Sequence, residues 1–150
     1  MRGRRGTAHY DVDVPDIGGL PLSVSGLVLS TGQAAAAAAK DKLVPLISVV
    51  PTVQRDFVST DQVTAFLRVY QGGTDPLAPV AVRTSIVDAC GLPVLDRTET
   101  LGQDRFGPAR AADYRATLPG ATLARGPYRL SVSATRGPPM TRRDVRFSLR

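Results

Sequence analysis

The sequence has no Trp and only one His, one Cys, one Glu and two Lys in 150 residues, and each scarcity removes a class of function. A single cysteine, Cys90, forbids an internal disulfide, a dithiol redox pair and a cysteine-rich zinc site, and reads as a plain turn thiol. A single histidine, His9, forbids a histidine-rich metal centre; a hydrolytic triad would have to recruit it from near the N-terminus, where it reads as an exposed strand residue. The sole glutamate, Glu99, lies among polar residues, and no carboxylate pair is marked out for glycoside hydrolysis. There is no Gly-x-Ser-x-Gly elbow, no phosphate-binding Gly-x-x-x-x-Gly-Lys and no strand-Gly-x-Gly-x-x-Gly-helix unit. No stretch approaches the roughly 20 apolar residues of a membrane span. Met-Arg-Gly-Arg-Arg has the charge of an export-signal start, but Gly6 to Asp13 supplies no apolar segment after it, so the chain as written reads as neither exported nor membrane-spanning.

What the sequence has is two-residue alternation. Val63, Ala65, Leu67 and Val69 alternate with Thr64, Phe66, Arg68 and Tyr70, and Val80, Val82, Thr84 and Ile86 with Ala81, Arg83 and Ser85. The same period recurs at Ala112 to Leu118, Tyr128 to Ala134 and Arg143 to Leu149, each a short strand with one buried face. Asp88-Ala-Cys-Gly91 turns the chain so that Pro93 to Thr100 returns as a partner strand. Twelve Pro and 14 Gly stand mainly between these runs, with few amphipathic helical windows. The pattern predicts an all-β protein, an immunoglobulin or fibronectin III-like antiparallel β-sandwich with an extra N-terminal strand segment.

Within the late strands, Leu123-Ala-Arg-Gly126-Pro-Tyr128 has the form of a tyrosine corner, in which a phenol bonds a backbone group a few residues upstream and pins the connection between sheets. An ordinary core tyrosine fits the pattern equally. On either reading Leu123, Gly126, Tyr128 and the strand residue Phe147 are structural.

The N-terminal region differs. Tyr10, Val12 and Val14 form a strand-like run without a nearby hairpin partner, and Pro15, Gly18-Gly19 and Pro21 break the chain after it. Residues 1–30 are therefore expected to be an orphan strand and linker from a preceding module, 31–42 an alanine-rich loop, and 43–150 the sandwich domain. Ala34 to Ala39 favours helix by propensity, but it is too short to stand alone and lacks an apolar face. If unpaired, Leu20, Leu22, Val24, Leu27, Val28 and Leu29 would face water and drive self-association. Asp11, Asp13 and Asp16 could offer carboxylates to calcium. The run departs from the EF-hand loop, with Pro15 at a ligand position and no matching Gly, so no metal is assigned and no cofactor is called for.

Seventeen Arg against twelve Asp and one Glu, with the two Lys, give a net charge of +6. Split at Asp75, the first part holds seven basic and seven acidic residues and the second twelve and six, so the whole excess is C-terminal. Only Arg142, Arg143, Arg146 and Arg150 cluster, the one feature that supports a polyanion or nucleic-acid reading; the spread of the other arginines favours a solvated strand face.

Several stretches together carry a family resemblance: Tyr10 to Asp16, Leu22 to Leu29, Pro51 to Phe57, Asp61 to Gly73, Gly126 to Leu130 and Arg142 to Arg150. In these the chain resembles the C-terminal part of the large von Willebrand factor A-related bacterial proteins of acidobacteria-like genomes. The resemblance implies the last strand of one β-sandwich module, a linker and a final module, in an exported protein or a fragment of one. The Asp-x-Ser-x-Ser metal-adhesion motif of that family is missing, so metal-dependent adhesion does not carry over. The expectation is a non-catalytic structural or protein-interaction module, extracytoplasmic if the resemblance holds, with a protein partner or self-association through edge strands. A hydrolase would need an acid such as Asp61, for which no supporting residues stand out.

Overall fold

The computed structural model describes residues 16–32 and 48–150, nine strands and one short 3-10 turn at Gln103–Arg105. It is a two-sheet all-β sandwich. The first sheet is built on β4 (Thr64–Tyr70), which pairs along one edge with β7 (Ala111–Thr117) and along the other with β1 (Ser23–Val24) and β2 (Val28–Ser30), all antiparallel. The second runs in the order β3 (Asp56–Phe57), β9 (Met140–Leu149), β8 (Gly126–Thr135), β5 (Val80–Val87), β6 (Pro93–Leu101). Its pairs are antiparallel except the short parallel contact of β3 with β9.

The alternating residues meet between the sheets. Leu67, Val69 and Tyr114 of the first sheet share one buried cluster with Val82, Ile86 and Leu130 of the second. Burial of such aliphatic side chains, worth about 1.5–3 kcal/mol each, is what drives the two faces together. The turn after β5 forms as the sequence requires: the Asp88 carboxylate accepts the backbone N–H groups of Cys90 and Leu92, both at 2.9 Å, and Gly91 has φ 81°.

Residues 16–30 correct the domain boundary expected at Leu43. β1 and β2 are successive pieces of one edge strand, and Leu22, Val24 and Leu29 lie in the core with Leu27 packed against it. The predicted sticky segment is thus largely consumed in folding. Between the two pieces, Ser25 to Leu27 stand opposite only Leu67 and Arg68, a one-residue bulge. The ladder survives it because Ser25 Oγ accepts the Arg68 N–H at 2.9 Å while the Ser25 N–H donates to the Arg68 carbonyl at 2.9 Å. The proposed strand at Tyr10 to Val14, His9, Asp11, Asp13 and the alanine run all lie outside the described residues.

Phe66 is the other departure. Alternation places it on the outer face of β4, yet it is buried and outside the central cluster. The chain entering at Ser48 crosses this face: Ser48 Oγ donates to Asp113 at 3.1 Å, and Arg115 donates to the Ser48 carbonyl at 3.3 Å. Arg115 is the register partner of Phe66, so Ser48 is tied to the same outer face that carries the ring.

Candidate functional site

The register of the β8–β9 hairpin decides what its outer face displays. Ala134 to Leu130 oppose Thr141 to Val145, and Arg129 falls directly opposite Arg146. Both side chains are exposed, and neither makes a hydrogen bond or ion pair among the described residues. Like charges directly opposed across a strand pair are destabilising, so a fold that keeps them carries a local strain that an anion would relieve.

These two arginines line a depression of about 590 Å³ at one end of the second sheet. Val87 and Pro127 contribute to it, together with Arg55 and the β5–β6 turn. Its acidic members are already engaged. Asp88 caps the turn, and Asp56 accepts a hydrogen bond from Ser148 Oγ and an ion pair from Arg150 at 3.0 Å. Those partners, Ser148 first and then Arg150, hold the Asp56 carboxyl below its ordinary range. The Arg55 guanidinium donates to the carbonyls of Thr52 and Gln54 at 2.9 and 2.7 Å. The charges of the depression that no hydrogen bond or ion pair among the described residues holds are those of Arg129, which also acts on Asp144 through space, and Arg146.

Elsewhere on this face the charges are paired. Arg83 grips Asp96 through two hydrogen bonds of 2.8 and 2.5 Å and holds its carboxyl below the usual range. Arg142 bonds Asp144 and Ser131, each at 2.8 Å. Burial pushes the Asp144 carboxyl up, and bonds from Ser131 and Arg142 and the charges of Arg142 and Arg129 outweigh it, for a net lowering. The four clustered C-terminal arginines are therefore divided: Arg142 and Arg150 sit in ion pairs, Arg143 donates to the Val24 carbonyl at 3.2 Å, and Arg146 alone is unengaged. Its companion is Arg129, which sequence clustering does not pick out.

The structural residues named from the sequence lie beneath the same end of the sheet. Tyr128 Oη donates to the Ala124 carbonyl, four residues upstream, at 2.7 Å, and its ring stacks on Phe147 with centroids 5.5 Å apart. Gly126 opens β8 at φ 148°, where a side chain would be strained, and Leu123 packs against the core. Cys90 is exposed in the β5–β6 turn. Asp61 accepts the Val58 N–H at 2.9 Å, a turn role, and Asp16 accepts the Gly19 N–H at 3.0 Å. Among the described residues no three His, Cys, Asp or Glu side chains come together as metal ligands would.

No protein-family model matches the chain, and no curated protein matches it. Among solved structures it is similar to the C-terminal domain of Wzt, with a TM-score of 0.50 at 12% identity over 89% of this chain and 75% of that one. It also aligns with a candidate β-galactosidase of Bacteroides fragilis, TM-score 0.47 at 14% identity, over 92% of this chain and only 17% of that much longer protein. A family 123 glycoside hydrolase from Clostridium perfringens aligns at TM-score 0.38 and 9% identity, covering 83% of this chain and 27% of its own. The similarity to the Wzt domain is one of fold, and the β module is what it establishes.

Proposed function

We propose that this β-sandwich is a non-catalytic protein-interaction module that engages an acidic partner at the depression between Arg129 and Arg146. The opposed, unengaged arginine pair is the observation that supports the reading: the two guanidiniums can grip one carboxylate or neighbouring ones, while the rest of that face has spent its charges internally. The family resemblance in the sequence supports placing the module at the C-terminal end of a larger exported von Willebrand factor A-related protein.

The test is fluorescence anisotropy with a labelled Glu-rich decapeptide at low and high salt, beside a single-stranded oligonucleotide of equal charge. The reading requires peptide binding that weakens with salt and is lost in R129Q/R146Q while circular dichroism shows the fold retained. No peptide binding, or binding indifferent to those substitutions, refutes it. Tighter binding to the oligonucleotide, with the same loss, replaces it with the polyanion reading.

A further inference from the structure

Among the described residues β6 ends the second sheet, and no described strand pairs with its outward edge from Pro93 to Leu101. Apart from Leu95 and Leu101, every residue of this strand is exposed. An edge of nine residues is an open template for another strand, and natural proteins usually blunt such edges with proline, charge or a cover. Pro93 blunts the start. The charges that follow do something else, because they are arranged to complement themselves.

Leu95-Asp-Arg-Thr-Glu-Thr-Leu101 is nearly symmetric about Thr98: Leu95 and Leu101, Asp96 and Thr100, and Arg97 and Glu99 stand equidistant from it. In an antiparallel pairing of two copies with the two-fold axis at Thr98, Arg97 of each copy opposes Glu99 of the other, and Leu95 opposes Leu101. Neighbouring registers that keep the two sandwiches on the same side lose this match. Centring on Arg97 or on Glu99 sets that charge against its own copy. Arg97 and Glu99 are free for the role, since both are exposed and neither makes a hydrogen bond or ion pair among the described residues. They share a face of the strand, the one whose register partners Thr84 and Val82 point into the core. Asp96, on the opposite face, is held by Arg83 and does not compete.

We infer that the chain forms a symmetric homodimer through β6, joining the two five-stranded sheets into one continuous sheet with Thr98 on the axis. Main-chain hydrogen bonds supply the association, and the two reciprocal Arg97–Glu99 pairs fix its register. This surface is distinct from the Arg129–Arg146 depression, and its test reads oligomeric state alone.

Sedimentation velocity of the full chain across a concentration series, at low and moderate salt, gives the wild-type dissociation constant. R97E and E99R are each expected to weaken dimerisation by about tenfold or more, because symmetry converts two attractions into two repulsions at once. The double swap R97E/E99R restores it, and an equimolar mixture of the two single variants forms the heterodimer. Thr98→Pro, on a strand edge, abolishes dimerisation. Circular dichroism and thermal unfolding of each variant establish that the monomer fold persists. A wild-type chain that stays monomeric throughout the series overturns the inference. So does a dimer that E99R leaves intact, or one that the double swap fails to restore.

Discussion

A buried hydroxyl pair bridging the two sheets offers a sharp test of how the sandwich is held. Thr84 of β5 and Tyr114 of β7 point into the core from opposite sides, and their oxygens lie 2.8 Å apart. Thr84 is fully buried and Tyr114 is 3% exposed. Thr84→Val keeps the shape and removes one hydroxyl, leaving the phenol without its partner; Tyr114→Phe does the converse. Leaving a buried polar group unsatisfied costs about 1–3 kcal/mol. The two should not be equal. Thr84 has no exposed surface, whereas Tyr114 retains a little and lines a small depression with Glu99 and Arg105. Thr84→Val is therefore expected near 1 kcal/mol and Tyr114→Phe nearer 2–3 kcal/mol, by the same principle. The double variant removes both polar groups and should cost less than the sum of the singles by about 1 kcal/mol or more. Urea unfolding of the four proteins, read by tyrosine fluorescence and circular dichroism, closes the cycle. Additive losses within about 0.3 kcal/mol would refute the claim that this hydrogen bond couples the sheets.

Three further outcomes follow from single residues. Gln71, fully buried, clamps the loop before β5 by donating to the Ala78 carbonyl at 2.8 Å and accepting its N–H at 3.0 Å, so Gln71→Leu should cost about 2–4 kcal/mol in chemical denaturation. A Cβ at Gly72 would come within 2.3 Å of the Gly18 and Leu20 carbonyl oxygens, so Gly72→Ala should push residues 18–20 away from Gly72 and Gly73 and make that segment the first site of limited proteolysis. The Asp113 carboxyl is held below its ordinary range, chiefly by the Arg68 side chain 2.6 Å away, with burial opposing. A lowered folded value contributes stability above the unfolded value of about 3.9 and loses it as pH falls through the folded one. Asp113→Asn should therefore cost roughly 1 kcal/mol at pH 7, the pair being about one-third exposed, and should flatten the loss of stability below about pH 4. An acid limb unchanged in the variant would refute that assignment.

Most of the sandwich was legible because half-buried strands write their exposure into the sequence. The inward sets Ala112 to Leu118 and Tyr128 to Ala134 are buried as alternation requires, and Asp88 to Gly91 form the predicted turn. β1 and β2 were not legible, for a physical reason. They are two and three residues long, broken by a bulge, and their partner β4 begins more than thirty residues later. No local period can reveal such a strand, and Gly18-Gly19 and Pro21 beside it imitate a linker.

The candidate site shows the same division between local pattern and register. Clustering in the sequence singled out Arg142, Arg143, Arg146 and Arg150, but three of the four are engaged by Asp144, the Val24 carbonyl and Asp56. The residue that matters beside Arg146 is Arg129, seventeen positions away, and hairpin register alone brings them together. A signal for it did exist in the sequence. Fixing the loop around Gly137-Pro138-Pro139 at four residues, as the Arg136 N–H to Pro139 carbonyl bond of 3.2 Å does, sets Thr135 against Met140 and, six pairs further along, Arg129 against Arg146. What an exposed β surface can recognise is thus decided by which side chains the turns align and which of them the fold leaves unspent; one-residue slippage of this hairpin would disperse the arginine pair while leaving composition and net charge untouched.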